Sequence, residues 1–329
     1  MVSNEIQSQA AISFGFDPGT LTFVSNSCNE VYRFRKGNRT FFLRLSEKPA
    51  EFELNIKAEV HWVRYLAESG VRVALPVETI EGELTAICQD HENEKCFIAT
   101  VFEEAPGKFF DSDPELWGPS LFKTWGETMG AIHRLTKTYD SGDMKLKRMD
   151  WRPAEFHNPH LYQGHYFLLL SRLRAVEKQL EALPRNNHSY GLIHYDFHPY
   201  NFLIDHGEIT LFDFDDSLHG WFAMDMGISA AHAVWWGSHL TKWESKSEFA
   251  KHFLYEFLEG YFKQNYLEQE WIQKIPLFME YRNISSYFWW LHQWDGKEEH
   301  LTEFQKNAIV DAVNRIEKDI PFDGCDIQL

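Results

Sequence analysis

A chain of 329 residues is too long for one minimal core and long enough for two lobes. Hydrophobic residues at 44% and charged residues at 25% exclude extensive disorder. A formal charge of −17 excludes nucleic acid as the main partner, since most of this surface repels phosphate, while a cationic substrate is compatible with it. Cys28, Cys88, Cys96 and Cys325 show no C-x-x-C spacing, so neither a zinc site nor a disulfide framework is expected, and a reducing compartment fits.

The opening stretch MVSNEIQSQAAISF has no basic flank before an apolar run, which argues against a signal peptide. Short β-prone runs follow at 21–24, 31–34 and 40–45, the last two separated by the turn signal Lys36-Gly37-Asn38. Ile56, Val60, Val63 and Ala67 repeat at helical spacing and predict a helix over about 51–68. Strands are expected again at 73–77, 84–88 and 96–102, with Glu81-Gly82 as a turn. Ala105-Pro106-Gly107 breaks the pattern, and helices dominate afterwards: 120–137, 167–183, 224–239, 248–264, 268–294 with a break at Pro276, and 301–318. A small β island interrupts them at 192–193, 201–205 and 208–214, its hairpin turn supplied by His206-Gly207. No stretch is long and apolar enough to span a bilayer, so a soluble, cytoplasmic protein without a membrane partner is expected. The pattern implies an α+β, two-lobed architecture, with a β-rich lobe at 1–102 and a mainly helical lobe at 103–329. It sets no oligomeric state.

Acidic groups flank the hairpin. Before it stands His194-Tyr195-Asp196-Phe197-His198-Pro199-Tyr200-Asn201, and after it Asp213-Phe214-Asp215-Asp216. Carboxylates beside strands as apolar as Phe202-Leu203-Ile204 need cations or hydrogen bonds, and a bound Mg²⁺ would supply one. His194, Asp196 and Asn201 match H-x-D-x-x-x-x-N, a kinase catalytic loop, and Asp213-Phe214 matches the metal-binding pair that follows it. With ITLFDFDD, MDMG and the internal His198-Pro199, the chain resembles the aminoglycoside phosphotransferase and choline kinase family over nearly its whole length.

That resemblance implies a protein-kinase-like fold and transfer of the γ-phosphate of ATP, or GTP, to a hydroxyl. Asp196 would accept the hydroxyl proton, Asn201 and Asp213 would hold Mg²⁺, and His198 would either stabilise transferring charge or pack under Pro199. His194 and Asp225 would support the loop. Arg44, the charged member of an apolar strand, would meet phosphate, and Glu59 on the apolar stripe of its helix would hold Arg44. Ser27 and Asn29, in the glycine-free Ser25-Asn26-Ser27-Cys28-Asn29, would cover the phosphates unless this is an ordinary hairpin loop. Phe102, Glu103 and Ala105 would form the hinge that meets the base.

For the acceptor, aromatic faces beside carboxylates suit an ammonium group. Asp215, Asp216, Trp290 and Trp294 are the candidates, with core packing the plain alternative for each Trp. A small amine-bearing molecule is expected: aminoglycoside-like, choline-like or homoserine-like. Three other readings stand beside this one: a protein Ser/Thr kinase of the same fold, a metal-dependent hydrolase built on His194, Asp196 and His198, and a nucleotide-binding pseudokinase.

Overall fold

The computed structural model describes residues 2–329. It has an antiparallel sheet followed by a helical array, the α+β architecture expected. Helix α1 (Asn4–Phe14), capped by Ser3 and by left-handed Gly15, packs beneath the sheet and was not anticipated from its sequence. The sheet is built from β1 (Thr22–Asn26), β2 (Glu30–Lys36), β3 (Arg39–Glu47), β4 (Pro76–Val77), β5 (Ala86–Asp90) and β6 (Lys95–Glu103). Its order is β1-β2-β3-β6-β4, with β5 also paired to β6. Helix α2 (Glu53–Glu68) lies between β3 and β4 in sequence.

Strand alternation assigns the two faces. Phe41, Leu43, Leu45, Phe97, Ala99 and Val101 point into one core with Ile6, Ala10 and Phe14 of α1. Ile98 points the other way, into a cluster with Ile56 and Val60 of α2. Arg44 alternates with Leu43 and Leu45, which puts it on the α2 side of the sheet, opposite Thr100 in register. The expected strand at 73–77 shrinks to β4, because Val73 instead bridges to Leu211.

Helices α3 (Pro119–Thr136) and α4 (Gly164–Glu181) precede strand β7 (Tyr190–Ile193). Next come the hairpin β8 (Phe202–Asp205) and β9 (Glu208–Leu211), then β10 (Leu218–Trp221), which pairs with β7. The hairpin turn is left-handed at both His206 and Gly207, φ 52° and 82°. The remaining helices are α5 (Phe222–Gly237), α6 (Lys246–Tyr261), the short α7 (Gln269–Ile272), α8 (Ile275–Leu291) and α9 (Glu303–Glu317). The long helical run breaks before Ile275, where Pro276 opens α8 in the first helical turn. Among the described residues, no helix is long and apolar enough to cross a membrane.

The chain forms two compact units. The first takes in the described chain through Phe109, Thr138–Met149 and Tyr200–Ser217, so it extends past residue 102 and includes the β8–β9 hairpin. The hairpin is held there on both edges: Lys108 and Ile204 exchange two backbone bonds (3.0 and 2.8 Å), and Leu211 bonds to Arg72 and Ala74 (3.0 and 2.9 Å). The second unit comprises Phe110–Lys137, Asp150–Pro199 and Leu218–Leu329.

Candidate active site

In the first unit, Arg44 meets Glu59 through two parallel bonds, Nη1 to Oε1 and Nη2 to Oε2, each 2.9 Å. Its Nε donates to Thr100 Oγ1 at 3.2 Å. Both charges are buried, and such a pair is tolerated only with this kind of bidentate geometry. Asp215 stands 4.0 Å from the same guanidinium and accepts from Asn29 Nδ2 at 2.9 Å. Burial alone would raise the Asp215 pKa; Arg44 and the Asn29 bond bring it below the usual carboxylate range. Asp215 therefore keeps company with the residues expected to meet nucleotide. Asn29 is buried, Ser27 and Asp216 are exposed, and the Asn29 Oδ1 atom has no hydrogen-bond partner among the described residues.

The expected hinge lies at the end of β6. The backbone N–H of Glu103 donates to Leu75 O at 2.9 Å, and its carboxylate pairs with Arg39. The Arg44 guanidinium lies 5.4 Å from the Phe102 ring centroid, and Ala105 follows half-buried.

Asn201 and Asp213 occupy the two open ends of the β8–β9 hairpin, and Phe212 N–H donates to Asn201 O at 2.9 Å. An amide oxygen and a carboxylate are hard donors, a set that fits Mg²⁺ or a similar divalent cation better than zinc. Asp213 takes left-handed backbone, φ 62°. Its loop is pinned by Arg148, a residue that no motif or periodicity singles out. Arg148 donates to Ser217 O (2.7 Å), to Asp215 O, and to the side chain of Asn55 on α2 (2.6 Å). Phe214 fixes the loop further by packing edge-on against Trp62, centroids 5.4 Å apart.

In the second unit, Asp225 at the start of α5 braces the loop that begins at His194. Its carboxylate accepts the backbone N–H of His194 (3.0 Å) and of Tyr195 (2.8 Å). Tyr195 is left-handed, φ 68°, a conformation that costs energy for a bulky residue and persists only where its surroundings enforce it. Asp225 also lies 3.2 Å from His133 Nε2, whose other ring nitrogen meets Tyr261 OH at 3.0 Å. Burial lowers the His133 pKa, so the ring is neutral; facing an acceptor-only carboxylate, it carries its proton on Nε2. His194 is fully buried, and its Nδ1 accepts the Asp196 N–H at 3.3 Å.

Asp196 is held by two side chains: Arg282 Nη2 on Oδ1, and His198 Nε2 on Oδ2 at 3.2 Å. Burial would raise its pKa, but the Arg282 charge and then His198 drive it well below the ordinary range, so the carboxylate is ionised. Arg282 also donates from Nε to His232 Nε2 at 2.9 Å. Sequence reasoning missed both Arg282 and His232. The available signal was slight: Arg282 is the single basic residue of α8 and His232 the single histidine of α5, both helices being mainly apolar.

Among the described residues, the grouping with metal-ligand spacing is Asp196, His198 and His232. His194 is not part of it, so the hydrolase set expected on His194, Asp196 and His198 does not assemble. The expected acceptor aromatics are packed. Trp294 donates its indole N–H to Lys297 O at 2.8 Å and lies 4.6 Å from Tyr166, and Trp290 packs against Tyr287 and Phe304.

Residues 20–269 match the model of a phosphotransferase enzyme family. The amicoumacin kinase of Bacillus subtilis (strain 168) is 30% identical over 284 residues, covering 86% of this chain and 83% of that protein. Among solved structures, an amicoumacin kinase in complex with AMP-PNP, Ca²⁺ and Ami superposes with TM-score 0.84 at 28% identity, over 98% of this chain and 95% of that one. A microcompartment-associated aminopropanol kinase shares the fold, with TM-score 0.72 at 20% identity over 97% and 98% of the two chains. The kinase-like fold, the family match and the amicoumacin kinases agree: this chain belongs to the phosphotransferase enzyme family and is an ATP-dependent phosphotransferase with an alcohol group as acceptor.

Proposed function

We propose that the enzyme moves the γ-phosphate of ATP onto a hydroxyl of a small amine-bearing molecule, with amicoumacin the first acceptor to test. One observation carries this reading. A single unit holds a cation locked in place, Arg44 on Glu59, together with a hard-oxygen pair, Asn201 and Asp213. A nucleotide triphosphate with its metal needs both, and a hydrolase site needs neither Arg44 nor Glu59. The amicoumacin kinases add support for the acceptor class.

In this reading Arg44 binds phosphate oxygens, Asn29 and Ser27 close over them, and Phe102, Glu103 and Ala105 meet the base. The phosphate-binding residues fall to the lobe at 1–102, Glu103 and Ala105 follow directly on its boundary, and acceptor binding falls to 103–329. Asn201 and Asp213 would hold Mg²⁺, which would supply neutralising charge to the nucleotide phosphates. Asp196 orients the acceptor hydroxyl and takes its proton as the new O–P bond forms and the bond to the departing ADP oxygen breaks. Phosphoryl transfer passes through a loose transition state, so positioning matters more than base strength, which suits an Asp196 held ionised and fixed. His198 steadies that carboxylate, and His194 with Asp225 holds the loop backbone. A cytoplasmic location, where ATP is supplied, belongs to the same reading.

The test is ATP consumption with Mg²⁺ against amicoumacin, aminoglycosides, amino alcohols, homoserine and a generic protein substrate, with products identified by mass. Acceptor-dependent turnover yielding a phosphorylated small molecule is expected. Phosphate released from ATP with no phosphorylated acceptor in any arm, or phosphorylation of the protein alone, would refute the proposal.

A further inference from the structure

We propose that Arg282, on α8, is a positioning residue for the catalytic carboxylate and acts through a closed ring of side chains, Asp196–His198–His232–Arg282. The inference rests on the reading of Asp196 as the group that receives the acceptor proton.

The ring is continuous. Arg282 bridges Asp196 Oδ1 and His232 Nε2, the latter at 2.9 Å. His198 Nε2 holds Asp196 Oδ2 at 3.2 Å. The His198 and His232 rings lie 4.9 Å apart, and Trp236 covers both with its ring 4.7 Å from each. Asp196 and His198 belong to the loop after β7, His232 to α5 and Arg282 to α8, so three separate elements converge on one carboxylate. Other ionisable neighbours are His194, with its Nδ1 on the Asp196 backbone N–H, and Tyr281, which feels the Arg282 charge and meets Tyr195 OH at 2.9 Å.

Chemistry fixes the direction of each bond. A guanidinium only donates, so His232 must present a bare Nε2 and carry its proton on Nδ1. His232 is 2% exposed, and its neutrality is enforced by burial and by the neighbouring Arg282 charge. A neutral histidine therefore aims the guanidinium, and the guanidinium in turn aims one oxygen of Asp196 and keeps it ionised. His198 aims the other. The arrangement sacrifices basicity for orientation, which a loose transition state tolerates because the acceptor proton moves late.

The full-length chain is compared with Arg282→Lys, Arg282→Gln and Arg282→Met, and with Asp196→Asn for assignment. The Asp196 side-chain carboxyl is followed by ¹³C NMR across pH, and ATP turnover with Mg²⁺ and amicoumacin is followed in parallel, with water as acceptor in a second arm. In Arg282→Met and Arg282→Gln the Asp196 titration is expected to move up by about one to three pH units, because its nearest cation is gone. Turnover should fall roughly 100-fold with KM for ATP unchanged, and Arg282→Lys should recover part of both. If Arg282→Met fails to fold, Arg282→Gln and Arg282→Lys decide the matter, since each keeps a hydrogen-bond donor at the site. An unmoved Asp196 titration in a folded Arg282→Gln protein overturns the proposal. Unimpaired turnover by Asp196→Asn would instead overturn the underlying reading of Asp196, while leaving the measured Arg282 effect on that carboxyl intact.

Discussion

Glu59 is fully buried, and what balances it is the guanidinium of Arg44. Removing either partner strands a charge in the interior, which costs far more than the net worth of the pair. Glu59→Ala should therefore lower the unfolding free energy by about 3–5 kcal/mol, read from urea midpoints, and raise KM for ATP because Arg44 loses its aim. A variant as stable as the parent would show the pair to be dispensable. Asp225 makes a sharper case. Its carboxylate faces three donors: His194 N–H, Tyr195 N–H and His133 Nε2. An amide offers one oxygen and two hydrogens of its own, so Asp225→Asn turns a donor against a donor. The expected result is a folded protein with turnover down on the order of 100-fold and unchanged ATP affinity; normal turnover would dismiss Asp225 as a brace. Arg44, Glu59 and Asp225 were legible because each is a charge where the pattern calls for an apolar residue, or lies within a motif. Arg282, His232 and Arg148 were not, because their partners come from distant segments and no periodicity links them.

Elements were legible where burial is one-sided. Helix α2 follows from its helical spacing and the hairpin from His206-Gly207, while β6 follows from its β-prone composition although it is buried on both faces. Helix α1 escaped because its signals are terminal ones, Ser3 and Gly15, around a segment with few large apolar residues. Strand β10 escaped because Leu218-His219-Gly220-Trp221 is too short to alternate. The contact between α3 and α6 shows a different blind spot. A glycine in a helix reads as a weakness, yet Gly126 and Gly260 let two backbones meet. A Cβ at Gly126 would stand 1.8 Å from Phe257 O, and one at Gly260 would stand 1.9 Å from Lys123 O. Each clash is with backbone, so the helices must separate. Gly126→Ala should cost about 3 kcal/mol in urea unfolding, at the upper end of overpacking effects. Gly118→Ala is the control: Gly118 is the N-cap of α3 with extended backbone (φ 176°), an added Cβ there meets nothing within 4 Å, and only the loss of a favoured cap residue, about 1 kcal/mol or less, is expected. Equal losses in the two variants would rule out close helix packing as the reason for Gly126.

At the scale of the whole molecule, the charge of −17 and the buried histidines respond to acid in opposite directions. Protonating surface carboxylates and histidines relieves self-repulsion and favours the compact state slightly. His133 and His232 oppose this, since burial holds both below the ordinary histidine value of 6.5 in the folded protein. A group whose folded pKa is depressed contributes stability above its unfolded pKa and loses it as pH falls, because the unfolded chain takes up the proton first. The loss should begin as pH drops through 6.5, at about 1.4 kcal/mol per pH unit for each histidine, and continue until the folded rings protonate. Asp196 adds a second stage of the same sign below about pH 4, where the unfolded carboxyl protonates while Arg282 still holds the folded one ionised. The histidine stage is steep and local, whereas relief of surface repulsion is diffuse and screened by salt, so the net slope should be downward on the acid side. Urea midpoints measured from pH 8 to pH 4 at 0.15 M salt give the slope directly. His133→Gln keeps a donor for Asp225 without a titrating ring, and it should flatten the first stage by about half even if it lowers stability at pH 8. A parent protein whose stability stays level or rises between pH 7 and pH 5 would mean that these rings titrate as they do in the unfolded chain, and the neutral state assigned to His133 beside Asp225 would have to be abandoned.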